Sequence, residues 1–521
     1  MPQETQHNLV RPPVVVVMGH IDHGKSTLLD YIRKANVVEG EAGGITQHVG
    51  AYQAEYTDAK GTKHLFTFLD TPGHAAFCSI RERGALAADI AILVVSAEDG
   101  VKPQTVEALK EIKTAGIPYI VAINKIDKPN ADIDRTKTSL GEHEIYVEGW
   151  GGDIPCVAIS ALTGAGIPEL LDMINLIAEL SNLKATKNAT AEGIVLESEV
   201  DTRKGIAATI LIKNGTLKTG SFVVAGKAFS PVRYIENWNG TKIEEAGPSV
   251  PVVIFGWNEV PACGTVFTTV ATKKEAEKVA TAAPIPGKTK NAQGGAGAMG
   301  KNSKPVTSTS PTAQPENVVA IPFIIKADAI GSLDGVKLEL SKIKSDKVVL
   351  KCVSDGLGEI NENDVKVAIG DPSVIILGFN EAPDTKAAAI AERSPVPLTI
   401  RTFKVIYDLV EYVKSVVVEK TPKEYVDEVT GRAKILAVFS KEKDKQVVGG
   451  KVQEGLLETG SVVRIMRRET EVGTGTIREL QQQKKRTSEV REGYEFGTLI
   501  EAKVEIAAGD KVEAVRRVEK K

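Results

Sequence analysis

The sequence predicts a multidomain protein of α/β and β units, in which a doubly wound, mostly parallel sheet is joined to two β-barrels, one small α/β domain and a connecting helix. Apolar runs that alternate with helix-like stretches indicate the parallel sheet. Short β-branched strands punctuated by Gly and Pro, in two separate stretches, indicate the barrels. A chain of 521 residues also exceeds one core, because domains usually hold about 100 to 200 residues.

The parallel-sheet domain is predicted over residues 12–181, after a short tail of residues 1–11. Apolar runs and helix-like stretches alternate here, which puts ligand-binding loops at the carboxyl ends of the strands. The apolar runs are residues 14–18, 65–69, 90–95, 119–123 and 155–159, and the helix-like stretches are residues 104–115 and 168–180.

The remaining residues are predicted to form four further parts. Residues 190–271 form the first barrel and residues 427–517 form the last one. Between them, residues 272–316 are rich in Ala, Gly, Lys, Pro and Ser and predict a flexible linker. Residues 317–400 alternate strands with helices, as in a small α/β domain. Residues 401–422 keep one apolar face at helical spacing until a proline ends it, which predicts a connecting helix.

The two predicted barrels share a short repeated motif. GTLKTGS at residues 215–221 recurs as GLLETGS at residues 455–461, with five identities at a spacing of 240 residues (455 minus 215). The repeat predicts two related barrels. Common hairpin turn chemistry would give the same residues in unrelated strands, and the sequence leaves that alternative open.

Composition excludes several classes of protein. Hydrophobic residues make up 42% and charged residues 26% of the chain, which suits several buried cores and excludes wholesale disorder. The net charge of -3 argues against a generally basic protein that coats nucleic acid, so RNA contacts must come from local patches. The four cysteines have no paired spacing, so neither zinc nor a disulfide scaffold is expected. Apolar runs are too short to cross a bilayer, and we expect a cytoplasmic protein without membrane contacts.

A phosphate-binding loop is predicted between the first apolar run and the first helix. The sequence GHIDHGKS at residues 19–26 fits G-x-x-x-x-G-K-[ST]. Backbone N–H groups of such a loop wrap phosphates, Lys25 neutralises the β- and γ-oxygens, and Ser26 ligates Mg²⁺. The predicted nucleotide contacts here are Gly19, His20, Ile21, Asp22, His23, Gly24, Lys25, Ser26 and Thr27.

Two further segments are predicted to complete the phosphate and metal site. Asp70 and Gly73 lie in DTPG, at the end of the next buried strand, where a carboxylate can hold the Mg²⁺ shell and a glycine N–H can sense the γ-phosphate. Thr46 lies in the glycine-containing stretch GGITQH, and its hydroxyl can cap Mg²⁺ when the γ-phosphate is present. Without their neighbours, the two segments would be an ordinary turn and a plain glycine loop.

Guanine selection is predicted from NKID at the end of another strand. The carboxylate of Asp127 can accept hydrogen bonds from guanine N1–H and the 2-amino group, which adenine lacks, while Asn124 and Lys125 complete the motif. Leaving such a group unpaired costs about 1 to 3 kcal/mol, so GTP is preferred over ATP. NKID alone would as readily be a charged loop. Its position after the phosphate and magnesium motifs favours the base-reading interpretation. A backbone N–H for the guanine oxygen is expected from Ser160, Ala161 and Leu162.

His74 is the candidate for hydrolysis because it follows the γ-phosphate sensor directly. A histidine in this place can orient the attacking water. A lone histidine is more often structural, and its position beside Gly73 favours the functional interpretation.

These motifs resemble those of the translational GTPases, and specifically bacterial translation initiation factor two. GGITQHVGAY and DTPGHAAF distinguish that family from elongation factor Tu and its relatives. Later segments are also similar to the family: LESEVDTRKGIAATILIKNGTLKTG to its second domain, IIKADAIGSLDGV, ILGFN and IYDL to its third domain and following helix, and GYEFGTLIE to the end of its fourth.

The resemblance implies a factor that binds GTP or GDP with Mg²⁺ and is a monomer. It implies partners as well: the small and large ribosomal subunits, ribosomal RNA, other initiation factors, and formylmethionyl initiator tRNA held by the last barrel. Hydrolysis should wait for the ribosome, because isolated switch GTPases can turn over at about 10⁻⁴ per second and partners can stimulate them about 10⁵-fold.

The chain departs from the family pattern in two places. Family members usually carry an amino-terminal extension, whereas about eleven residues precede the first domain here, so we expect the functions of that extension to be absent. The last barrel has Gln481–Gln482 in place of a Lys-Arg pair and Phe496 in place of a cysteine, which should weaken or reshape tRNA recognition. Lys484 to Arg486 would compensate, unless this run is an ordinary solvated loop. The tentative tRNA contacts are Gln481, Gln482, Lys484, Glu495, Phe496 and Gly497.

Three other functions compete with this interpretation. A translational GTPase that delivers a specialised tRNA shares the nucleotide chemistry, but its domain order differs. A P-loop kinase or metabolic transferase has no reason to carry NKID. A non-catalytic scaffold has no need of Lys25, Asp70 and His74 together.

Overall fold

The structure of the chain is a computed structural model. It describes residues 8–34, 46, 49–201, 203–283, 319–345, 347–421 and 425–519. Two compact units make up the chain, Met1–Lys420 and Thr421–Lys521. Among the described residues, no helix is long and apolar enough to cross a membrane.

A six-stranded sheet with helices forms the first part of the larger unit, and we call it the parallel-sheet region. Its strand order is β3-β4-β2-β5-β6-β7, with β3 antiparallel and the others parallel. The predicted apolar runs are confirmed as strands, and the central ones are fully buried because helices cover both faces. The elements are β1 (Asn8–Val10), β2 (Val14–Gly19), α1 (Lys25–Arg33), β3 (Gly50–Thr57), β4 (Lys63–Asp70), α2 (Cys78–Ala87), β5 (Ile90–Ser96), α3 (Pro103–Ala115), β6 (Tyr119–Asn124), α4 (Ile133–Glu142), β7 (Cys156–Ala158), α5 (Ile167–Leu180) and β8 (Lys184–Thr186), with a short 3-10 helix at Ala75–Phe77.

The first barrel-like region follows, with an eight-stranded antiparallel sheet in the order β13-β12-β18-β9-β10-β17-β14-β15 and a small β11-β16 pair. Its strands are β9 (Glu192–Asp201), β10 (Gly205–Asn214), β11 (Leu217–Lys218), β12 (Phe222–Ala225), β13 (Ala228–Pro231), β14 (Ile235–Asn237), β15 (Lys242–Ile243), β16 (Glu245–Ala246), β17 (Pro251–Phe255) and β18 (Val266–Val270).

The start of the predicted linker differs from the expectation. Helix α6 (Lys273–Ala282) begins at the capping residue Thr272, whose side chain accepts from the N–H of Glu275. Ala276 and Ala280 of this helix pack on the barrel. A capping box and a small apolar face therefore outweigh the linker-like average composition. The rest of the predicted linker, residues 284–316, lies outside the described residues.

A small α/β region completes the larger unit. Its four parallel strands have the order β20-β19-β21-β22. The elements are β19 (Val319–Ala327), α7 (Ile330–Lys342), β20 (Val348–Leu357), α8 (Glu362–Gly370), β21 (Ile375–Phe379), α9 (Thr385–Glu392), β22 (Thr399–Phe403) and α10 (Ile406–Lys420). The connecting helix predicted over residues 401–422 is α10, but it begins only at Ile406, because residues 401–403 pair in strand β22.

The core of the small α/β region includes residues of the parallel-sheet region. Ala76, Phe77 and Ile80 are buried in the same apolar cluster as α7 and α10. Two glycines of α7 make room for them, because a Cβ at Gly331 would lie 2.5 Å from Ile80 and one at Gly335 would lie 2.8 Å from Phe77. The segment after Asp70 is thus held by a second domain.

The smaller unit is a closed barrel. Strands β23, β30, β25, β26, β29 and β24 pair in this order, and β24 pairs again with β23 to close the ring. Inward side chains fill it with one apolar cluster. The strands are β23 (Tyr425–Glu442), β24 (Lys445–Glu458), β25 (Val462–Arg467), β26 (Thr470–Gln482), β27 (Lys485–Arg486), β28 (Glu489–Arg491), β29 (Glu495–Ala502) and β30 (Lys511–Glu519).

The repeated heptapeptide adopts one conformation in both barrels. Its first and sixth residues are glycines with φ between +68° and +91° in each copy. The N–H of Gly220 donates to the carbonyl of Val232, and the N–H of Gly460 donates to that of Ile477, both at 2.8 Å. An isolated hairpin turn needs only local hydrogen bonds, so these matching partners from outside the turn favour related barrels over shared turn chemistry.

Candidate functional site

The predicted phosphate loop joins β2 to α1 in a conformation that two glycines permit. Gly19 has φ +146° and Gly24 has φ +85°, where other residues are strained. A Cβ would collide with the Val94 carbonyl at the first position and with the Asn124 side chain at the second. The loop therefore lies tightly against the ends of β5 and β6, and the amino terminus of α1 can face an anion.

A cavity of about 250 Å³ lies at this loop. Most of its lining residues were predicted from the sequence as phosphate, metal or hydrolysis residues. They are Ile21, Asp22, Gly24, Lys25, Ser26, Thr27, Thr46, Gly73, His74 and Lys125.

Gly19, His20 and His23 are not among the residues that line the cavity. The side chain of His23 is fully buried, and burial lowers its pKa to about 3, so this ring is neutral. Its predicted role is therefore limited to the main chain, where its carbonyl accepts from Asn124.

Lys25 supplies a buried cation at the cavity. Its side chain is only 6% exposed, and its ammonium donates to the His20 carbonyl at 2.7 Å. Burial lowers the pKa of Lys25 to about 8, although Asp70 opposes the shift. A bound anion would favour the charged form, as a phosphate site requires. Gly73 is adjacent, since a Cβ there would lie 2.5 Å from this ammonium.

The three predicted metal ligands lie together. The hydroxyls of Ser26 and Thr46 are 2.7 Å apart, and the Thr46 hydroxyl donates to an Asp70 carboxylate oxygen at 3.4 Å. Hydroxyl and carboxylate oxygens are the donors that Mg²⁺ prefers, so these residues fit that ion. The stretch around Thr46, residues 35–45 and 47–48, lies outside the described residues.

The predicted guanine-reading loops are tied together by Asn124. Its side-chain amide donates to the His23 carbonyl at 2.8 Å, and its oxygen accepts from the Ala161 N–H at 2.9 Å. Asp127 is exposed and accepts from the Ser160 hydroxyl at 2.6 Å, a hydrogen bond that lowers the pKa of the Asp127 carboxyl. The Asp127 carboxylate is therefore charged and accessible to a nucleotide base.

Two more residues of these loops have distinct positions. Lys125 has φ +67° and lines the cavity, whereas Leu162 is 71% exposed. The N–H groups of Ser160 and Ala161 already donate within the protein, to the Ala165 carbonyl and to Asn124. Among the three predicted residues, Leu162 therefore remains the candidate for the N–H that would meet the guanine oxygen.

His74 is held with one ring nitrogen engaged. Its Nδ1 accepts from the N–H of Ala76 at 2.9 Å, at the start of the short 3-10 helix. Burial lowers the pKa of His74, so the ring is neutral and carries its proton on Nε2. A ring in this tautomer can donate a hydrogen bond to a water or phosphate oxygen, which suits orientation better than proton removal.

Arg81 is a residue of this site that the sequence motifs did not predict. Its guanidinium is 1% exposed, pairs with Glu111 at 3.0 Å and Glu107 at 3.2 Å, and donates to the His74 carbonyl at 2.6 Å. It thereby joins α2 and α3 to the loop that carries His74. The available signal was its helical spacing from the buried Gly84 and Ala85, which puts a charge on the apolar face of α2.

A second cavity, of about 530 Å³, lies in the last barrel. Five predicted tRNA contacts line it, namely Gln481, Lys484, Glu495, Phe496 and Gly497. Gln482 lines a neighbouring cavity with Lys485 and Arg486, because successive strand residues point to opposite faces.

Phe496, whose ring was expected to weaken or reshape tRNA recognition, lies in the barrel core. It is 5% exposed in the barrel core, and a Cβ at Gly450 would lie 2.9 Å from its ring, so it forms the floor of the cavity. The apolar lining from β23 and β24, which includes Leu436, Phe439 and Val447, was not predicted from the sequence. The Gly449–Gly450 pair was the available signal, since rings lie closely against both glycines.

Comparison with known families relates these sites to function. Three family models match: Elongation factor Tu GTP binding domain over residues 11–179, Elongation factor G domain 2 over residues 190–270, and Translation-initiation factor 2 over residues 298–414. Translation initiation factor IF-2 of Halothermothrix orenii is 44% identical over 504 residues, which cover 97% of this chain and 71% of that protein. The chain belongs to the translation initiation factor IF-2 family.

Other IF-2 proteins are similarly related. That of Bacillus licheniformis is 42% identical, with 98% of this chain and 70% of that protein covered. Among solved structures, the crystal structure of GDP-bound aIF5B from Aeropyrum pernix is similar to this chain, with 25% sequence identity and a TM-score of 0.46. The match covers 97% of this chain and 92% of that chain. As a member of the IF-2 family, the chain is a translational GTPase that binds GTP and GDP and acts in initiation.

Proposed function

We propose that the GTP-bound protein binds formylmethionyl initiator tRNA on the small ribosomal subunit, promotes joining of the large subunit, and then hydrolyses GTP under ribosomal stimulation. The observation that carries this proposal is the grouping of phosphate, metal and hydrolysis residues around one cavity of about 250 Å³. The protein would act in the cytoplasm as a monomer, alongside ribosomal RNA and other initiation factors.

The nucleotide site suggests a role for each group. Ser26, Thr46 and Asp70 would hold Mg²⁺, which neutralises charge on the β- and γ-phosphates when bound. The Lys25 ammonium and the N–H groups of the phosphate loop would hold the same oxygens. Gly73 and Thr46 would respond to the γ-phosphate, so loss of that group would release both segments.

Guanine would be recognised by the Asp127 carboxylate and the Leu162 N–H. We predict that Asp127→Asn shifts preference from GTP towards xanthosine triphosphate, because the amide offers N–H where xanthine has a carbonyl oxygen. A group that loses its partner costs about 1 to 3 kcal/mol, which corresponds to about a 5- to 150-fold loss of GTP affinity. Competition of both nucleotides against a fluorescent GDP analogue measures the change.

The matched control for this change is Asp134→Asn, an exposed carboxylate in the first turn of α4. This variant should keep the selectivity of the parent protein. An Asp127→Asn protein that still selects GTP strictly would contradict the base-reading role.

The last barrel suits the aminoacyl end of a tRNA. Its cavity of about 530 Å³ has an apolar side, including Phe439 and Phe496, and a polar rim that includes Gln481 and Glu495. Cavities of about 300 to 1,000 Å³ with such a mixture typically hold small molecules. The apolar side would take the methionyl side chain, and the rim would meet the formyl amide.

We predict that formylated initiator tRNA binds more tightly than the unformylated form, by about tenfold, which equals about 1.4 kcal/mol for one satisfied amide hydrogen bond. Filter binding with the full chain measures both affinities. Gln481→Ala should reduce the difference, whereas Gln482→Ala, on the opposite strand face, should retain it. Equal affinities in the unaltered protein would remove formyl recognition from the proposal and leave the GTPase assignment unaffected.

A further inference from the structure

A tyrosine of the small α/β region contacts the ring of His74. Tyr407 lies in the first turn of α10, and the two ring centroids are 4.6 Å apart at an interplanar angle of 87°. Such an edge-to-face pair is a preferred aromatic geometry and contributes about 0.5 to 1.5 kcal/mol beyond burial. The contact restricts the His74 ring from a segment more than 300 residues away (407 minus 74).

The backbone that carries Tyr407 is firmly anchored. Its neighbours Ile406 and Leu409 are fully buried in the cluster that also holds Ala76 and Phe77, which belong to the short 3-10 helix after His74. The first turn of α10 and the His74 loop therefore share one core. Since packed cores resist small displacements, this core fixes the backbone positions of the two segments, while the Tyr407 side chain itself is 47% exposed.

The other contacts of His74 do not restrict the two faces of its ring. Its Nδ1 accepts from the Ala76 N–H, and Arg81 holds its carbonyl. These two hydrogen bonds fix the position of the His74 backbone and of the Nδ1 edge of its ring. The Phe77 ring, with its centroid 6.1 Å away, and the Tyr407 ring then bound the imidazole from its sides.

The charged surroundings of the ring come from several elements. Glu339 and Lys342 on α7, Arg81 on α2 and Glu107 on α3 influence it, while burial is the main cause of its lowered pKa. Burial raises the pKa of the Tyr407 hydroxyl, and the charges of Asp22 in the phosphate loop and of Glu339 act in the same direction. Tyr407 thus contacts the histidine, which in turn lines the nucleotide cavity.

We infer that Tyr407 is a positioning residue that keeps the His74 ring at the nucleotide cavity, so that hydrolysis depends on the first turn of α10 being packed against that ring. The inference rests on the hydrolytic role proposed for His74. A misplacement of about 1 Å in a reacting geometry can cost about 10²-fold in rate. Loss of the aromatic support should therefore lower kcat and leave the KM for GTP nearly unchanged.

The experiment compares Tyr407→Leu with Tyr407→Phe in the full chain, using ribosome-stimulated GTP hydrolysis. We expect Tyr407→Leu to lower kcat by about tenfold or more and Tyr407→Phe to keep it within about twofold, because the phenyl ring retains the edge-to-face contact. Histidine NMR gives a second readout. The pKa of His74 should rise in Tyr407→Leu as the ring becomes solvated, and stay low in Tyr407→Phe.

The matched control is Tyr412→Leu, which removes an aromatic ring from the same helix that pairs with Phe403 instead of His74. This control should keep kcat. Should Tyr407→Leu lose stability, Tyr407→Met offers the same comparison with an unbranched side chain. An unchanged or increased kcat in Tyr407→Leu, or an equal loss in Tyr412→Leu, would overturn the inference. His74→Ala separates the two proposals, because normal hydrolysis in that variant would remove the role of His74 itself.

Discussion

Replacing His74 with alanine will leave GTP binding nearly unchanged and lower ribosome-stimulated hydrolysis by about 10²- to 10⁴-fold, the usual contribution of a positioned acid-base group. The ring is neutral and its Nδ1 is occupied by the Ala76 N–H, so only the Nε2 edge is available to a water or a γ-phosphate oxygen. Alanine removes that donor and leaves the Lys25 and Ser26 contacts in place.

Single-turnover hydrolysis on ribosomes, together with nucleotide affinity from fluorescence titration, measures both parts of this expectation. His143→Ala is the matched control, since this exposed histidine at the end of α4 lies outside the cavity. Turnover at the parent rate in His74→Ala would exclude the proposed role. A parallel loss of GTP binding would instead show that the ring mainly stabilises the site.

Replacing Arg81 with methionine will destabilise the larger unit by about 3 to 5 kcal/mol, as expected when one partner of a buried ion pair is removed. Glu111 would keep a largely buried charge, and the His74 carbonyl would lose its 2.6 Å donor. Glu107 is half-exposed and can rehydrate, which favours the lower end of this range. Ribosome-stimulated hydrolysis should fall as well, because the His74 loop loses an anchor.

Urea unfolding measures the stability loss, with Arg135→Met on the exposed face of α4 as the control. Burial raises the pKa of Glu111, and Arg81 opposes that shift. A raised pKa stabilises the folded state at low pH and destabilises it as pH rises, so the penalty in Arg81→Met should be smaller near about pH 5 than near about pH 8. A loss independent of pH would argue against Glu111 as its cause.

The strands and the phosphate loop could be predicted because their signals are local. A parallel strand covered on both faces is a continuous apolar run, as in β2 and β5, and the glycines at 19 and 24 meet steric demands within one turn. Arg81 could not be assigned a role in the same way. Its burial depends on two carboxylates of α3, which the sequence does not relate to α2.

The direction of individual side chains and the exact start of a helix also could not be predicted from the sequence. Phe496 was expected to weaken or reshape tRNA recognition, but the sequence did not show that strand alternation and the neighbouring Gly450 turn its ring into the barrel. The early linker was expected to be flexible because composition averages over residues 272–316. A single capping box at Thr272 is enough to begin α6 within that stretch.

The close packing at Gly331 and Gly335 of α7 limits which segments of this protein can be exchanged with those of a homologue. Phe77 and Ile80 fill space that Gly331 and Gly335 leave open, so part of one domain's interior is supplied by another. A chimaera that replaces residues 319–420 with those of a distant homologue must therefore inherit the matching side chains near residue 77. Exchanging both segments together would preserve this packing. Exchanging only the residues between two domain boundaries would disrupt it.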